Sequence, residues 1–189
     1  MLDRLRSRIE SYLGAVGRRF ALVATSPTAW TVVGLTASLA GAAAYTTGGY
    51  EGAFIGGIMI LLSGWFDIVD GAVARVTGKV SKRGAFLDST LDRVGEVGIF
   101  VGILIGGFSI PLAVMLALSF SLLVSYTRAR ADSLGVALSG VGIGERSERL
   151  LILAVSSLLG YLSWGVLLVL AVAAITFVER TVRASRGLR

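Results

Sequence analysis

Four long stretches without any ionisable charge limit the fold of this chain more than any other feature of its sequence. They cover residues 20–50, 52–66, 97–127 and 150–178. A transmembrane helix needs about 20 predominantly apolar residues, so the three longer stretches suit helical hairpins rather than single spans. Hydrophobic residues make up 54% of the 189 residues and charged ones 16%. We therefore predict an all-α integral membrane protein.

Turns within the hairpins divide the chain into six predicted transmembrane helices. Glycines mark the turns at 46–50, 106–111 and 160–164. The predicted spans cover 28–48, 52–75, 84–106, 110–133, 146–160 and 162–182. Because no linker or low-complexity segment interrupts residues 25–189, we assign them to one six-helix membrane domain.

The basic residues predict the orientation of these spans. All eighteen Lys and Arg residues fall on one side of the arrangement, whereas the three opposite turns contain only Glu51 as a charge. Cytoplasmic loops of membrane proteins carry an excess of Lys and Arg. We therefore predict a multi-pass protein of the cell membrane with both termini cytoplasmic. The net charge of +6 is explained in this way without a nucleic-acid partner.

Residues 1–24 are predicted to form an amphipathic juxtamembrane helix on the cytoplasmic surface of the membrane. Apolar residues recur there at helical spacing, at Leu2, Leu5, Ile9, Leu13 and Val16. The segment has no continuous apolar core of about 7–15 residues, which excludes a cleavable signal peptide. The alternative interpretation is a flexible basic leader.

The absence of Cys and His narrows the available chemistry. It excludes a disulfide scaffold, a Cys/His zinc site, a thiol nucleophile and a histidine-containing triad. Any catalytic group must be a carboxylate, a hydroxyl, a Lys or an Arg. An active site in this chain therefore has to use carboxylates, hydroxyls or basic side chains.

Four aspartates at the cytoplasmic ends of the second and third spans predict a metal-binding active site. They are Asp67, Asp70, Asp88 and Asp92. Each pair has helical spacing and occupies one helix face, and the short connection 77–83 makes the two helices antiparallel neighbours. Charges at membrane depth are costly and mark function. The alternative is a set of ion pairs with the nearby arginines.

Oxygen ligands alone suit a hard divalent cation, Mg²⁺ or Mn²⁺, and four carboxylates can hold two ions that bridge phosphate oxygens. Beside the aspartates, Gly71 and Ala74 remove side-chain bulk where a ligand could approach the backbone. Arg75 offers a fork of donors for phosphate. Ser81 and Gly84 lie in the connecting turn. This part of the sequence therefore predicts a phosphate-containing substrate.

The combined pattern resembles the signature of the CDP-alcohol phosphotransferase (phosphatidyltransferase) family. It reads Asp67-x-x-Asp70-Gly71-x-x-Ala74-Arg75, eight residues, then Gly84-x-x-x-Asp88-x-x-x-Asp92. The resemblance extends over nearly the whole chain. It implies an enzyme that joins a CDP-linked alcohol to a second alcohol and releases CMP, using a divalent metal.

The resemblance also implies a role for each matching residue. Asp67, Asp70 and Asp88 would be the main metal ligands, and Asp92 would lie near the metal and accept the proton of the attacking hydroxyl. The residues that would bind the CDP-alcohol are Pro27, Thr28, Thr31, Gly71, Ala74, Arg75, Ser81 and Gly84. The first three match a Pro-Asn-x-x-Thr segment of the family, with Thr in place of Asn. Ser26 followed by Pro27 is equally a good helix start.

Arginines at the depth of the aspartates favour an anionic acceptor, because guanidinium groups make bidentate contacts with phosphate. The segments 125–132 and 145–150 are similar to those of phosphatidylinositol-phosphate and archaetidylinositol-phosphate synthases, whose acceptor is inositol 1-phosphate. By position, the acceptor phosphate would be bound by Arg128, Arg130, Arg149 and Arg180. The alternative is the general bias of cytoplasmic loops toward basic residues and contact with lipid headgroups.

We therefore expect transfer from CDP-archaeol or CDP-diacylglycerol to inositol 1-phosphate. Glycerol 3-phosphate or another phosphorylated alcohol is the alternative acceptor. A cation transporter is the alternative function, and it would need acidic groups spread through the membrane depth. A ladder of Gly98, Gly102 and Gly106 predicts close helix packing, either inside the molecule or at the seam of a homodimer.

Overall fold

Seven helices form the part of the chain that the structure describes. The computed structural model describes residues 2–138 and 140–188, with side chains from Tyr12 onward within those ranges. The helices are α1 (Leu2–Ala21), α2 (Pro27–Thr46), α3 (Gly49–Val76), α4 (Lys82–Ile105), α5 (Pro111–Ser133), α6 (Arg146–Leu158) and α7 (Leu162–Gly187). No strand occurs in the two described ranges. The prediction of an all-α protein is confirmed.

Helices α2 to α7 correspond in order to the six predicted spans, and the largest difference is at the end of α7. Three of them, α3, α5 and α7, are long and apolar enough to cross a membrane by length and composition, among the described residues. Helix α6 has 13 residues. At 1.5 Å per residue it rises only about 20 Å, less than the hydrocarbon core of roughly 30 Å. The chain is thus a membrane protein, and three of its described helices are long and apolar enough to span the bilayer.

Local sequence explains where the helices near the site begin. Both prolines of the chain open helices, Pro27 in α2 and Pro111 in α5, where the missing N–H has no intrahelical partner to lose. The Ser81 hydroxyl caps α4 by accepting a hydrogen bond from the Gly84 N–H at 3.1 Å. Gly78 supplies a positive φ of 66° in the loop before it. The short loop leads directly into α4, but α4 packs against α2 and barely contacts α3. The prediction that α3 and α4 are direct neighbours is therefore wrong, because α2 packs against both helices.

A continuous apolar core joins the helices that surround the site. It is built from Ile60, Phe100, Val114, Leu153 and Val166, one each from α3, α4, α5, α6 and α7. All five are almost completely buried. Because burial of each large apolar side chain stabilises the fold, this cluster fixes the five helices relative to one another.

The glycine ladder of α4 packs against α2 inside the molecule. A Cβ atom on Gly102 would collide with the carbonyl oxygen of Ala42, and one on Gly106 with that of Tyr45. Gly98 faces the same helix. The interpretation of this ladder as internal packing is confirmed, and it brings the backbones of α2 and α4 together at the end of α4 away from the aspartates.

Helix α1 contacts the protein through its C-terminal half. Val16 and Phe20 pack against Trp30 of α2 and Val69 of α3, and the Phe20 and Trp30 rings meet edge to face at 5.0 Å. The predicted apolar positions Leu2, Leu5 and Ile9 lie outside the described side chains. A helix occupies Leu2–Ala21, and its end is anchored on α2 and α3 by a contact that the sequence pattern does not predict. Its amphipathic placement on the lipid surface stays a prediction.

We expect Gly102→Ala to lower the free energy of unfolding by about 1–3 kcal/mol, because the added methyl group overpacks the α2–α4 contact. Gly64→Ala is the matched control, since a Cβ there meets no atom within 4 Å. It should leave stability unchanged or raise it by up to about 1 kcal/mol. Thermal unfolding of both purified variants in detergent measures the difference. Equal stabilities would contradict the packing assigned to Gly102.

Candidate active site

Three carboxylates from α3 and α4 converge beside α2, the helix against which both of them pack. One oxygen each from Asp67, Asp70 and Asp88 lies within 4.8 Å of the others. Thr31 of α2 donates a hydrogen bond to Oδ2 of Asp70 at 2.7 Å. The Oδ1 atom of Asp88 is buried without a hydrogen-bond partner in the described structure.

This cluster has the chemistry of a divalent cation site. Adjacent carboxylates repel one another, and a buried oxygen without a partner is costly unless a cation compensates it. Carboxylate oxygens from two rigid helices are ligands that Mg²⁺ and Mn²⁺ accept. Asp67, Asp70 and Asp88 therefore fit the predicted metal.

The fourth aspartate, Asp92, lies beside this trio and is paired with an arginine. Its Oδ2 atom is 2.8 Å from Nη1 of Arg146. The same Nη1 atom is 3.7 Å from Oδ2 of Asp67. Arg93 lies 3.6 Å from the same oxygen of Asp92. We did not predict Arg146 as a site residue, although the dense alternation of Glu and Arg at 145–149 is the signal that could have indicated it.

The first cavity opens next to the trio and has a volume of about 390 Å³. Asp70 and Asp88 form part of its wall. Seven of the eight residues predicted to bind the CDP-alcohol line it, namely Pro27, Thr28, Gly71, Ala74, Arg75, Ser81 and Gly84. The eighth, Thr31, contacts this cavity only through its hydrogen bond to Asp70. Lys79 also lines it, and its ammonium group donates to the Thr25 carbonyl at 3.1 Å.

A second cavity of about 170 Å³ lies on the other side of the aspartates, with Asp67 and Asp92 in its wall. Five arginines line it, Arg93, Arg128, Arg146, Arg149 and Arg180. Three of the four predicted acceptor arginines are thus brought together. Arg130 is exposed and does not line this cavity.

Arg149 is completely buried and paired with a carboxylate. Its Nε and Nη2 atoms donate to Oε1 of Glu96 at 3.1 and 2.6 Å, and Nη1 donates to the Gly144 carbonyl at 2.6 Å. Glu96 is also fully buried. We did not predict Glu96 as part of the site, although it follows Asp92 by four residues and shares its helix face.

Arg180 is held in a comparable way between helices. Its Nε donates to the Val141 carbonyl at 2.9 Å and its Nη1 to the Val124 carbonyl at 3.1 Å. Its Nη2 donates to Glu145 at 3.1 Å. Arg149 and Arg180 therefore line the cavity with guanidinium groups whose positions are fixed by other parts of the protein.

The aspartates separate a cavity with the predicted donor-site residues from a cavity rich in arginine. A third space of only about 10 Å³ borders on Asp67, Asp70 and Asp92 together. A cation held by the carboxylates would face both cavities. This arrangement can hold one phosphate-containing molecule on each side of a metal site, with a carboxylate beside the point where they meet.

Comparison with known proteins agrees with this chemistry. The chain is 35% identical over 188 residues to the archaetidylinositol phosphate synthase of Pyrococcus horikoshii, a match that covers 100% of this chain and 98% of that protein. It is 41% identical over 162 residues to the archaetidylinositol phosphate synthase of Methanothermobacter thermautotrophicus, which covers 86% and 80% of the two chains.

Solved structures of the Mycobacterium tuberculosis phosphatidylinositol phosphate synthase have a similar fold. The structure with CDP-DAG bound superimposes with a TM-score of 0.80 at 30% identity and covers 91% of this chain and 92% of that one. The structure in complex with manganese and citrate gives 0.80 at 32% identity, with 92% and 88% covered.

The family model matches most of the chain, from the end of the α1–α2 connection to the last turns of α7. It describes the CDP-alcohol phosphatidyltransferases and covers residues 24–179. The resemblance inferred from the aspartate motif is thereby confirmed, and the metal-site chemistry agrees with it. The chain belongs to the CDP-alcohol phosphatidyltransferase family.

Proposed function

We propose that this enzyme transfers the lipid phosphate group of a CDP-activated lipid to inositol 1-phosphate and releases CMP. The observation that carries the proposal is the position of the aspartates between two cavities. One cavity contains the residues of the CDP-alcohol motif, and the other is lined by five arginines. Relatives named archaetidylinositol phosphate synthase support the choice of acceptor.

The CDP group of the donor would occupy the larger cavity. Gly71 leaves its helix surface open, and Arg75 on the same wall offers a guanidinium group to the pyrophosphate. Ser81 and Gly84 line the same cavity at the start of α4. A divalent cation, bound by Asp67, Asp70 and Asp88, supplies charge neutralisation for the phosphates.

In the reaction, a hydroxyl oxygen of the acceptor forms a bond to the lipid-side phosphorus of the donor. The bond between this phosphorus and the bridging oxygen breaks, and that oxygen leaves with CMP. The hydroxyl proton passes to the Asp92 carboxylate, which lies in the wall of the arginine-lined cavity. In the absence of His, a carboxylate is the available base.

The phosphate of the acceptor would bind among the arginines of the smaller cavity. We assign it to Arg128, Arg146, Arg149 and Arg180, which line the cavity. We leave Arg130 out of this assignment because it is exposed and outside the cavity wall. A concentration of guanidinium groups suits a phosphorylated acceptor better than an uncharged one, because guanidinium matches the geometry of phosphate.

We further propose that α2 to α7 all lie in the membrane, with both termini and the aspartates on the cytoplasmic side. The one-sided distribution of the basic residues supports this orientation. Helix α1 would then lie along the cytoplasmic lipid surface, with its C-terminal half anchored on α2 and α3.

The lipid tails of the donor, archaeol or diacylglycerol, would lie in the bilayer. A homodimer stays a prediction.

The direct test is CMP release by the purified protein with CDP-archaeol or CDP-diacylglycerol, Mg²⁺ or Mn²⁺, and a panel of acceptors. We expect turnover with inositol 1-phosphate, weak or no turnover with glycerol 3-phosphate and free inositol, and complete loss of turnover with EDTA. Turnover with glycerol 3-phosphate alone would refute the inositol assignment, and turnover in EDTA would refute the metal.

We expect Asp92→Asn to lower the rate of CMP release by about 10²–10⁴-fold, the range that general-base catalysis supplies. Because Asn has the same shape and still accepts a hydrogen bond, the fold and the binding of the CDP-lipid should be retained. Turnover and donor binding are measured on the same preparation. A variant with unchanged turnover would show that Asp92 is not the base.

Arg128→Ala should raise the KM for inositol 1-phosphate by roughly 10- to 100-fold, the effect of losing a charged hydrogen bond to phosphate. The donor KM should change little. Arg130→Ala is the matched control, since Arg130 lies two residues further along α5 and outside the cavity. Equal effects of the two substitutions on the acceptor KM would contradict the assignment of the acceptor phosphate to the arginine-lined cavity.

A further inference from the structure

One carboxylate oxygen connects three of the helices around the arginine-lined cavity. Oε1 of Glu145, at the start of α6, accepts from Nη1 of Arg128 on α5 at 3.3 Å. The same oxygen accepts from Nη2 of Arg180 on α7 at 3.1 Å. Glu145 itself lines the cavity. An acidic side chain thus lies between two of the cations to which we assign the acceptor phosphate.

This carboxylate offsets two costs of an arginine-rich site. Neighbouring guanidinium groups repel one another, and each long side chain loses rotamer entropy when it is held in one position. Glu145 neutralises part of the charge and fixes both groups before a ligand arrives. The hydrogen bond to Glu145 occupies one of the five N–H groups of Arg128. Arg180 uses three of its five N–H groups, one on Glu145 and two on backbone carbonyls.

Contacts on both sides hold Glu145 in place. Its backbone N–H donates to Oε2 of Glu148 at 2.8 Å, as part of a capping box at the start of α6. The preceding carbonyl, of Gly144, accepts from the buried Arg149 at 2.6 Å. On the C-terminal side, the Glu145 carbonyl accepts from the Arg149 N–H at 3.1 Å, and the Glu145 side chain itself accepts from the backbone of Glu148 in the capping box. The backbone is thus held on both sides, and the carboxylate is held by the helix cap as well as by the two arginines.

We propose that Glu145 is a positioning residue for the acceptor site, which presents Arg128 and Arg180 to the acceptor phosphate. It acts through these two arginines and takes no part in the chemical step or in donor binding. The inference rests on the proposed function, since it needs a phosphorylated acceptor in this cavity. It sets the affinity for that acceptor.

The test compares Glu145→Gln with Glu148→Gln in the purified full-length protein. Both substitutions remove one charge from the capping box while keeping an oxygen that can accept a backbone hydrogen bond. Glu148 is exposed and pairs with none of the cavity arginines in the described structure. The measurements are the KM values for inositol 1-phosphate and for the CDP-lipid, kcat, and the inhibition constant of inorganic phosphate against the acceptor.

We expect Glu145→Gln to raise the acceptor KM and the phosphate inhibition constant about 10-fold or more, with donor KM and kcat within about 2-fold of the parent protein. Glu148→Gln should leave all four values within about 2-fold. Equal changes in the two variants would overturn the proposal, because helix capping alone would explain them. Tighter phosphate binding by Glu145→Gln would also overturn it, because the carboxylate would then compete with phosphate.

The parent protein separates this proposal from the proposed function. If it releases no CMP with inositol 1-phosphate but does so with another phosphorylated alcohol, the inositol assignment fails, and the comparison of the two variants is made with that acceptor. If it uses only an uncharged acceptor, both proposals fail. If it uses a phosphorylated acceptor and the two variants behave alike, only the role of Glu145 fails.

Discussion

The structure depends on the convergence of carboxylates from α3 and α4, two helices that both pack against α2. Three carboxylate oxygens, from Asp67, Asp70 and Asp88, lie within 4.8 Å of one another. Such a cluster is unfavourable in a membrane protein unless cations compensate it. On one side a divalent metal fits the three oxygens, and on the other Arg146 compensates Asp92 directly. The rest of the molecule holds these charges in place and admits phosphate groups beside them.

The same convergence explains why two cavities share one wall. Asp70 and Asp88 line one cavity and Asp67 and Asp92 line the other, so a donor pyrophosphate in the first and an acceptor hydroxyl in the second would meet at the metal site. Further along α4, Gly102 and Gly106 allow backbone contact with α2, which fixes the two helices relative to each other. Preorganised charges of this kind stabilise the charge that develops during phosphoryl transfer.

Much of this arrangement follows from spacing along single helices. The aspartate pairs at three and four residues apart predict their shared faces, and the short loop after α3 predicts that the faces meet. The donor-site residues lie within this same helical hairpin and at the start of α2. Their gathering around one cavity could therefore be predicted from the sequence.

The acceptor side could be predicted only in part, because its contacts join residues far apart in the chain. The pairing of Arg149 with Glu96 spans 53 residues, and nothing in the local pattern of either helix indicates it. An arginine side chain is long enough to reach several partners. The position of an arginine on a helix face therefore does not decide its role. The side chain can point to a ligand, as those of Arg128 and Arg146 can, or it can hold the protein together.

The length of α6 illustrates a second limit. A charge-free run from 150 to 178 predicts a helical hairpin, and the structure has one, but its first helix ends at Leu158 after 13 residues. Glycine and tyrosine at the turn are visible in the sequence, whereas the depth of each helix in the membrane depends on packing against its neighbours. Hydrophobic length alone thus identifies three spans among the described helices.

The central claim is that Asp67, Asp70 and Asp88 form the metal site between the two cavities. Crystals grown with Mn²⁺ and measured at the manganese absorption edge test it most directly. We expect an anomalous peak within coordinating distance of oxygens from all three aspartates. A peak elsewhere, or none at saturating Mn²⁺, would contradict the account.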